Sequence, residues 1–139
     1  MSRAHCETVM RRYLAEVLGE RKFEVISEIA AEDMVDHSQR IPGREGLVQH
    51  ARGFLDLVPD ARIVIDHIVA GEEIVVGIWH WRGPPVGEFF GVEPTGREVE
   101  NRTASIFQLR DGLIADYTHI SDGLSTVRQM GAELTIPSA

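Results

Sequence analysis

The stretch ARIVIDHIVA, residues 61–70, is followed by Gly71-Glu72-Glu73 and then by IVVGIWHWR, residues 74–82. β-Branched and apolar residues alternate there with a period of two, and Gly-Glu-Glu suits a reversal, so the two runs read as a β-hairpin. Upstream the period is helical. Leu47, Val48, Ala51, Phe54, Leu55 and Val58 recur at i, i+3/i+4 spacing. They form a helix opened by Pro42-Gly43 and closed by Pro59-Asp60. Val9, Tyr13, Val17 and Leu18 mark an earlier helix from residue 4 to 18, with Gly19 as its stop. A second helix, Phe23 to Ala31, lies between them, with Phe23, Ile26, Ile29 and Ala30 on its apolar side. Asp33 to Ser38 is too short and mixed for a helix and reads as a strand fragment or an extended turn.

Downstream, a Gly- and Pro-rich loop runs from Gly83 to Gly96. REVENRTASIFQLR, residues 97–110, is a long strand. Asp111-Gly112 is a hairpin signal, because a type I′ turn needs positive φ at both central positions. Leu113 to Asp122 returns as the last strand, Gly123 to Met130 reads as a short helix, and the tail TIPSA as frayed. Helices first and strands second, joined by hairpins, predict an α+β fold with a mostly antiparallel sheet. No repeat or linker divides residues 1–139, which read as a single domain.

Composition narrows the function. The 139 residues are 43 % hydrophobic and 26 % charged, ordinary for a globular domain. A net charge of −8 disfavours a nucleic-acid backbone as partner. No apolar run is long enough to span a membrane, and the N-terminus does not read as a signal peptide. Cys6 is the single cysteine, so no internal disulfide forms, and a cytoplasmic setting is expected.

The long strand presents Val99, Asn101, Thr103, Ser105, Phe107 and Leu109 on one face, which is expected to point inward. An inward Asn101 is either a satisfied structural amide or a group facing a wet cavity. Trp79 and Trp81 share a face of their strand, as core filler or as the flat wall of a pocket. His119 and Asp122 end the last strand three residues apart. Strict alternation separates them, whereas a bulge near Ile120-Ser121 would bring both to a cavity mouth. There Asp122 could act as a general base; alternatively, it caps the helix that follows. His37, between helices, is either a surface residue or a pocket residue, and His5, His50 and His67 read as structural or exposed. No zinc motif, nucleophile elbow or phosphate loop is present, and no local ligand spacing supports a metal.

The order of elements, with VDHS around His37, GREGLVQHARGFLDLVPDARIVIDHIVA from Gly43 to Ala70 and GEFFGVEPTGREVENRTASIFQLRDGLIADYTHISD from Gly87 to Asp122, resembles the SnoaL-like polyketide cyclase family of the nuclear-transport-factor-2-like superfamily. The ending DGLSTVRQMGA resembles that family's closing pattern. The resemblance implies a cone-shaped, barrel-like fold, three N-terminal helices on a strongly curved sheet, with a deep pocket for a hydrophobic small molecule. It implies an intramolecular aldol ring closure by an aspartate acid/base, without a cofactor, and association as a homodimer or homotetramer. It places that aspartate at Asp122 and makes His119, Asn101 and His37 its polar partners. Phe54, Phe90, Trp79, Trp81 and Thr118 are then expected at the substrate. Thr118 stands where a tryptophan is frequent in the family, so the cavity is expected to be enlarged or re-aimed there. An isomerase or dehydratase in the same pocket, and a non-catalytic binding or adaptor module, are the alternatives.

Overall fold

A computed structural model describes residues 2–138. Helix α1 (Arg3–Arg11) is capped by the Ser2 side chain and runs on without a break into π-helical turns from Arg12 to Gly19. A 3₁₀ turn (Phe23–Val25) leads into α2 (Ile26–Ile29), and the chain then extends as β1 (Ala30–Asp36). Helix α3 (Arg44–Leu57) follows, then β2 (Arg62–Ala70), β3 (Ile74–Gly83), β4 (Val99–Arg110), β5 (Leu113–Ser121) and α4 (Gly123–Gln129). The expected α+β cone therefore forms, with four helices on one five-stranded sheet.

The strand order is β1-β5-β4-β3-β2. Hairpins join β2 to β3 and β4 to β5, and Asp111 and Gly112 both take positive φ in the second of these. The sheet stays open, with β1 and β2 as its edges. The main difference from the expectation lies around β1. The second helix stops at Ile29, and the residues after it form a full strand rather than a fragment. That strand pairs in parallel with β5, so the sheet is mixed. A parallel partner needs a long crossover, and the chain from α3 through β4 supplies it.

Burial explains the arrangement. Tyr13, Leu14 and Val17 from the first helical segment meet Phe107 and Tyr117 from the sheet, all almost fully buried. Tyr13, Phe107 and Tyr117 pack edge to face at centroid distances of 5.1–6.0 Å. Leu47, Ala51 and Leu55 bury the inner stripe of α3. Met34 and Asp36 point inward from β1, while Val35 points out. One side of the cone is left unfilled, between α3 and the inner faces of β3, β4 and β5.

Candidate active site

The unfilled region is a cavity of about 350 Å³. Helical periodicity brings His50, Phe54 and Leu57 of α3 to it on one stripe, four and three residues apart. Strand alternation brings Trp79 and Trp81 from β3, Asn101 and Thr103 from β4, and Tyr117, His119 and Ser121 from β5. Phe54 tilts against both tryptophans at centroid distances of 6.0 and 5.4 Å, and Phe89 stacks on Trp81 at 5.9 Å. The walls are thus aromatic. Among the described residues that line the cavity, none is Lys, Arg, Asp or Glu.

The polar end is built on Asp36. Its side chain has no solvent exposure, and Oδ2 lies 2.8 Å from His50 Nδ1. Ser38 donates to Oδ1 twice, from its hydroxyl at 2.7 Å and its backbone N–H at 3.0 Å. Burial pushes the Asp36 carboxyl upward, but the hydrogen bonds from His50 and Ser38 outweigh it and hold the group below its ordinary value. Asp36 is therefore an acceptor-only carboxylate at neutral pH, and His50 Nδ1 must donate to it. In neutral His50 the lone pair then sits on Nε2, which takes no protein hydrogen bond among the described residues. The ring lies flat against Tyr117, 5.5 Å between centroids and 20° between planes. Tyr117 is fixed in turn by Ser105, whose Oγ lies 3.2 Å from the phenol oxygen and accepts from Trp79 Nε1 at 3.0 Å.

His119 stands edge-on to His50, with centroids 5.0 Å apart. Burial, then the neighbouring His50, lowers its pKa to about 4, so it is a neutral imidazole at physiological pH. It has no hydrogen-bond partner within the protein among the described residues. One nitrogen is free to donate to a ligand oxygen and the other to accept.

Of the residues expected at the site, His119, Asn101, Trp79, Trp81, Phe54 and Phe90 line the cavity. Asn101 is nevertheless committed. Its Nδ2 donates to the Asp122 carbonyl at 2.9 Å and to Thr126 Oγ1, and its Oδ1 accepts from Thr103 at 3.0 Å. It ties α4 to β4.

Three expectations are corrected. Asp122 is exposed, and its Oδ1 accepts from the Ser125 N–H at 3.0 Å as the N-cap of α4. No bulge turns it inward, because β4 and β5 stay in register from Gln108/Asp116 to Thr103/Ser121. His37 projects outward from the end of β1 onto Asp116 at 2.8 Å, its side chain 54 % exposed, because its neighbour Asp36 takes the inward position. Thr118 faces away from the cavity between the inward Tyr117 and His119 and pairs with Ile106.

Sequence reasoning missed Asp36 and His50, although both left a signal. Asp36 shares the inward face of β1 with Met34, and His50 lies one helical turn before Phe54 on a stripe that continues to Leu57.

A cone of helices on an open mixed sheet, with a hollow lined by aromatic rings around two histidines, defines a nuclear-transport-factor-2-like fold. The SnoaL-like polyketide cyclase model matches residues 8–130, and the chain belongs to that family. Solved structures agree. TsrD from Streptomyces laurentii is 25 % identical, with a TM-score of 0.85 over 96 % of this chain and 99 % of that one. IdmH from Streptomyces antibioticus, a proposed polyketide cyclase, is 27 % identical, with a TM-score of 0.75 over 90 % and 97 %. A SnoaL-like protein from Jannaschia sp. CCS1 shares the fold at 20 % identity, with a TM-score of 0.81 over 95 % of each chain. No curated protein matches the chain. Among the described residues, no helix is long and apolar enough to cross a membrane.

Proposed function

We propose that the chain is a cofactor-independent acid/base catalyst for an uncharged, carbonyl-bearing, ring-sized molecule, and that His50, oriented by Asp36, is its base. The observation that carries this is the contact of His50 with the buried Asp36, 2.8 Å long, at the edge of an aromatic cavity. A buried carboxylate on Nδ1 sets the tautomer that leaves Nε2 basic and stabilises the imidazolium formed when Nε2 takes a proton. His50 Nε2 removes the α-proton of a bound carbonyl compound, and the C–H electron pair becomes an enolate. His119, kept neutral by partial desolvation, donates a hydrogen bond to the enolate oxygen, a role a neutral imidazole fills well. The enolate carbon then bonds to a second carbonyl carbon of the same molecule, and the new alkoxide takes the proton back from His50. Isomerisation uses the same first step and returns the proton to a different carbon.

Proton abstraction can be tested without the natural substrate. In D₂O the wild-type protein should speed deuterium incorporation at the α-carbon of 2-tetralone, a neutral bicyclic ketone, as followed by NMR. His50→Gln should return the rate to that of buffer, and a His50→Gln rate equal to wild type would refute the assignment.

A second reading, a binding module without turnover, draws on the exposure and capping role of Asp122. It predicts that 2-tetralone binds but does not exchange. In either case self-association through the outer sheet face, which exposes Val64, Val69 and Ile120, belongs to the proposal and is checked by sedimentation.

A further inference from the structure

We propose that Phe90 determines which ligands the cavity accepts and keeps, by acting as a gate whose ring is latched against Gly123 at the start of α4. This rests on the reading of the cavity as a binding site for neutral ring compounds.

Phe90 sits in a tight turn. Phe89 N–H donates to the Val92 carbonyl at 3.0 Å, and Val92 N–H returns the bond to Phe89 at 2.8 Å. Between them Phe90 has φ 49° and Gly91 φ 79°, the positive pair of a type I′ turn. Such turns favour Asn, Asp or Gly at both central positions, and a bulky aromatic with positive φ is an outlier. The turn does not call for phenylalanine at position 90. Core packing does not call for it either, since Phe90 is 73 % exposed. Strain of this kind is kept where something other than stability requires the side chain.

The surroundings of the ring say what requires it. Phe90 is part of the cavity lining. Its ring lies 5.7 Å from Phe89, which stacks on Trp81, so the aromatic wall continues to the rim. On its other side the ring fills the space over Gly123. A Cβ built on Gly123 would stand 2.9 Å from Phe90 Cε2, closer than packed atoms approach. Gly123 is the first residue of α4, and the Asp122 cap fixes where that helix starts. The cap thereby serves the site indirectly, by holding the notch that receives the ring. Phe90 stands at the exposed rim of the cavity, across from Gln49 and Gly53 of α3, where its ring covers the apolar face of a bound ligand. A flat neutral ring system gains an aromatic contact on closure, whereas a charged or bulky group holds the ring off its notch.

Trp79 and Trp81 are the only tryptophans of the chain, and both face the cavity, so intrinsic fluorescence reports occupancy. Stopped-flow quenching by 2-acetylnaphthalene, a neutral bicyclic aryl ketone, gives association and dissociation rates. Phe90→Asn suits the turn but lacks the ring, and Gly123→Ala keeps the ring but blocks its notch. Loss of one aromatic contact should raise the dissociation rate about tenfold in each, while the thermal midpoint of Phe90→Asn stays level or rises. Unchanged dissociation rates would overturn the gate and leave the binding site standing. A fall in the Phe90→Asn midpoint would assign Phe90 to structure and overturn the gate as well. Absence of quenching in the wild-type protein at saturating probe would sink both the gate and the cavity reading.

Discussion

Asp36 Oδ2 lies 2.8 Å from His50 Nδ1, a contact that joins the edge strand β1 to the middle of α3. It joins the two halves of the proposed base, which no local motif brings together, because the residues stand 14 apart in the chain. The loop between them closes the gap, and Ser38 in that loop donates twice to the other carboxylate oxygen, Oδ1.

Asp36→Asn keeps the shape of the side chain and removes the charge. Hydrogen bonds to charged groups contribute about 1.5–3 kcal/mol each, so urea denaturation at pH 7 should show a loss in that range. The amide can also donate to Nδ1 and free the opposite tautomer of His50. Ring ¹⁵N shifts should move from a protonated Nδ1 in the wild type toward a protonated Nε2 in the variant.

Gly43 holds this loop in place. It has φ 74° and ψ −172°, a region open essentially to glycine alone, and a Cβ there would meet the Glu32 carbonyl oxygen of β1 at 2.7 Å. Gly43→Ala should destabilise the fold by about 1–3 kcal/mol and separate α3 from β1. Thermal unfolding measures the first effect, and a weakened 2-tetralone exchange rate the second.

His119 gives stability a pH dependence. Its folded pKa of about 4 lies below the ordinary 6.5, so the unfolded chain binds the proton more readily. The contribution is complete above pH 6.5 and is lost as pH falls through about 4. Asp36 acts at lower pH with the same sign, because its folded value is also depressed. Urea midpoints should therefore fall from pH 6.5 toward pH 4 in the wild type, and His119→Gln should flatten that part of the curve.

Asp122 should behave as a cap. Asp122→Ala should cost about 1 kcal/mol, the usual loss for an N-cap, whereas Asp122→Asn, itself a good cap, should stay near wild-type stability by calorimetry.

Much of the fold was legible because periodicity is local. The change from a period near 3.6 to a period of two after Pro59, and Asp111-Gly112 as a hairpin, place most elements within a few residues. The parallel edge strand was harder to read, since Ala30–Ala31 continue an apolar helical pattern and only pairing with β5 makes them a strand. Strand alternation placed Trp79 and Trp81 on one face, but whether that face filled the core or walled a cavity depended on how far α3 stands from the sheet. The base was not legible, because it depends on which of two adjacent residues, Asp36 or His37, points inward, and on a helix face that also carries Phe54. Asp122 misled because its position after an inward strand face depended on a bulge, and the bulge lies at the opposite end of the hairpin, between Gln108 and Leu109.

On the proposed mechanism the proton acceptor of the cavity is an imidazole seated on a buried carboxylate, and not the acid that ends the sheet. Deuterium uptake into 2-tetralone, measured side by side for His50→Gln and Asp122→Asn, separates the two. Uptake should fall to the buffer rate in the first variant and stay within about twofold of wild type in the second, as an exposed cap residue allows. Normal uptake by His50→Gln together with its loss in Asp122→Asn would contradict that mechanism.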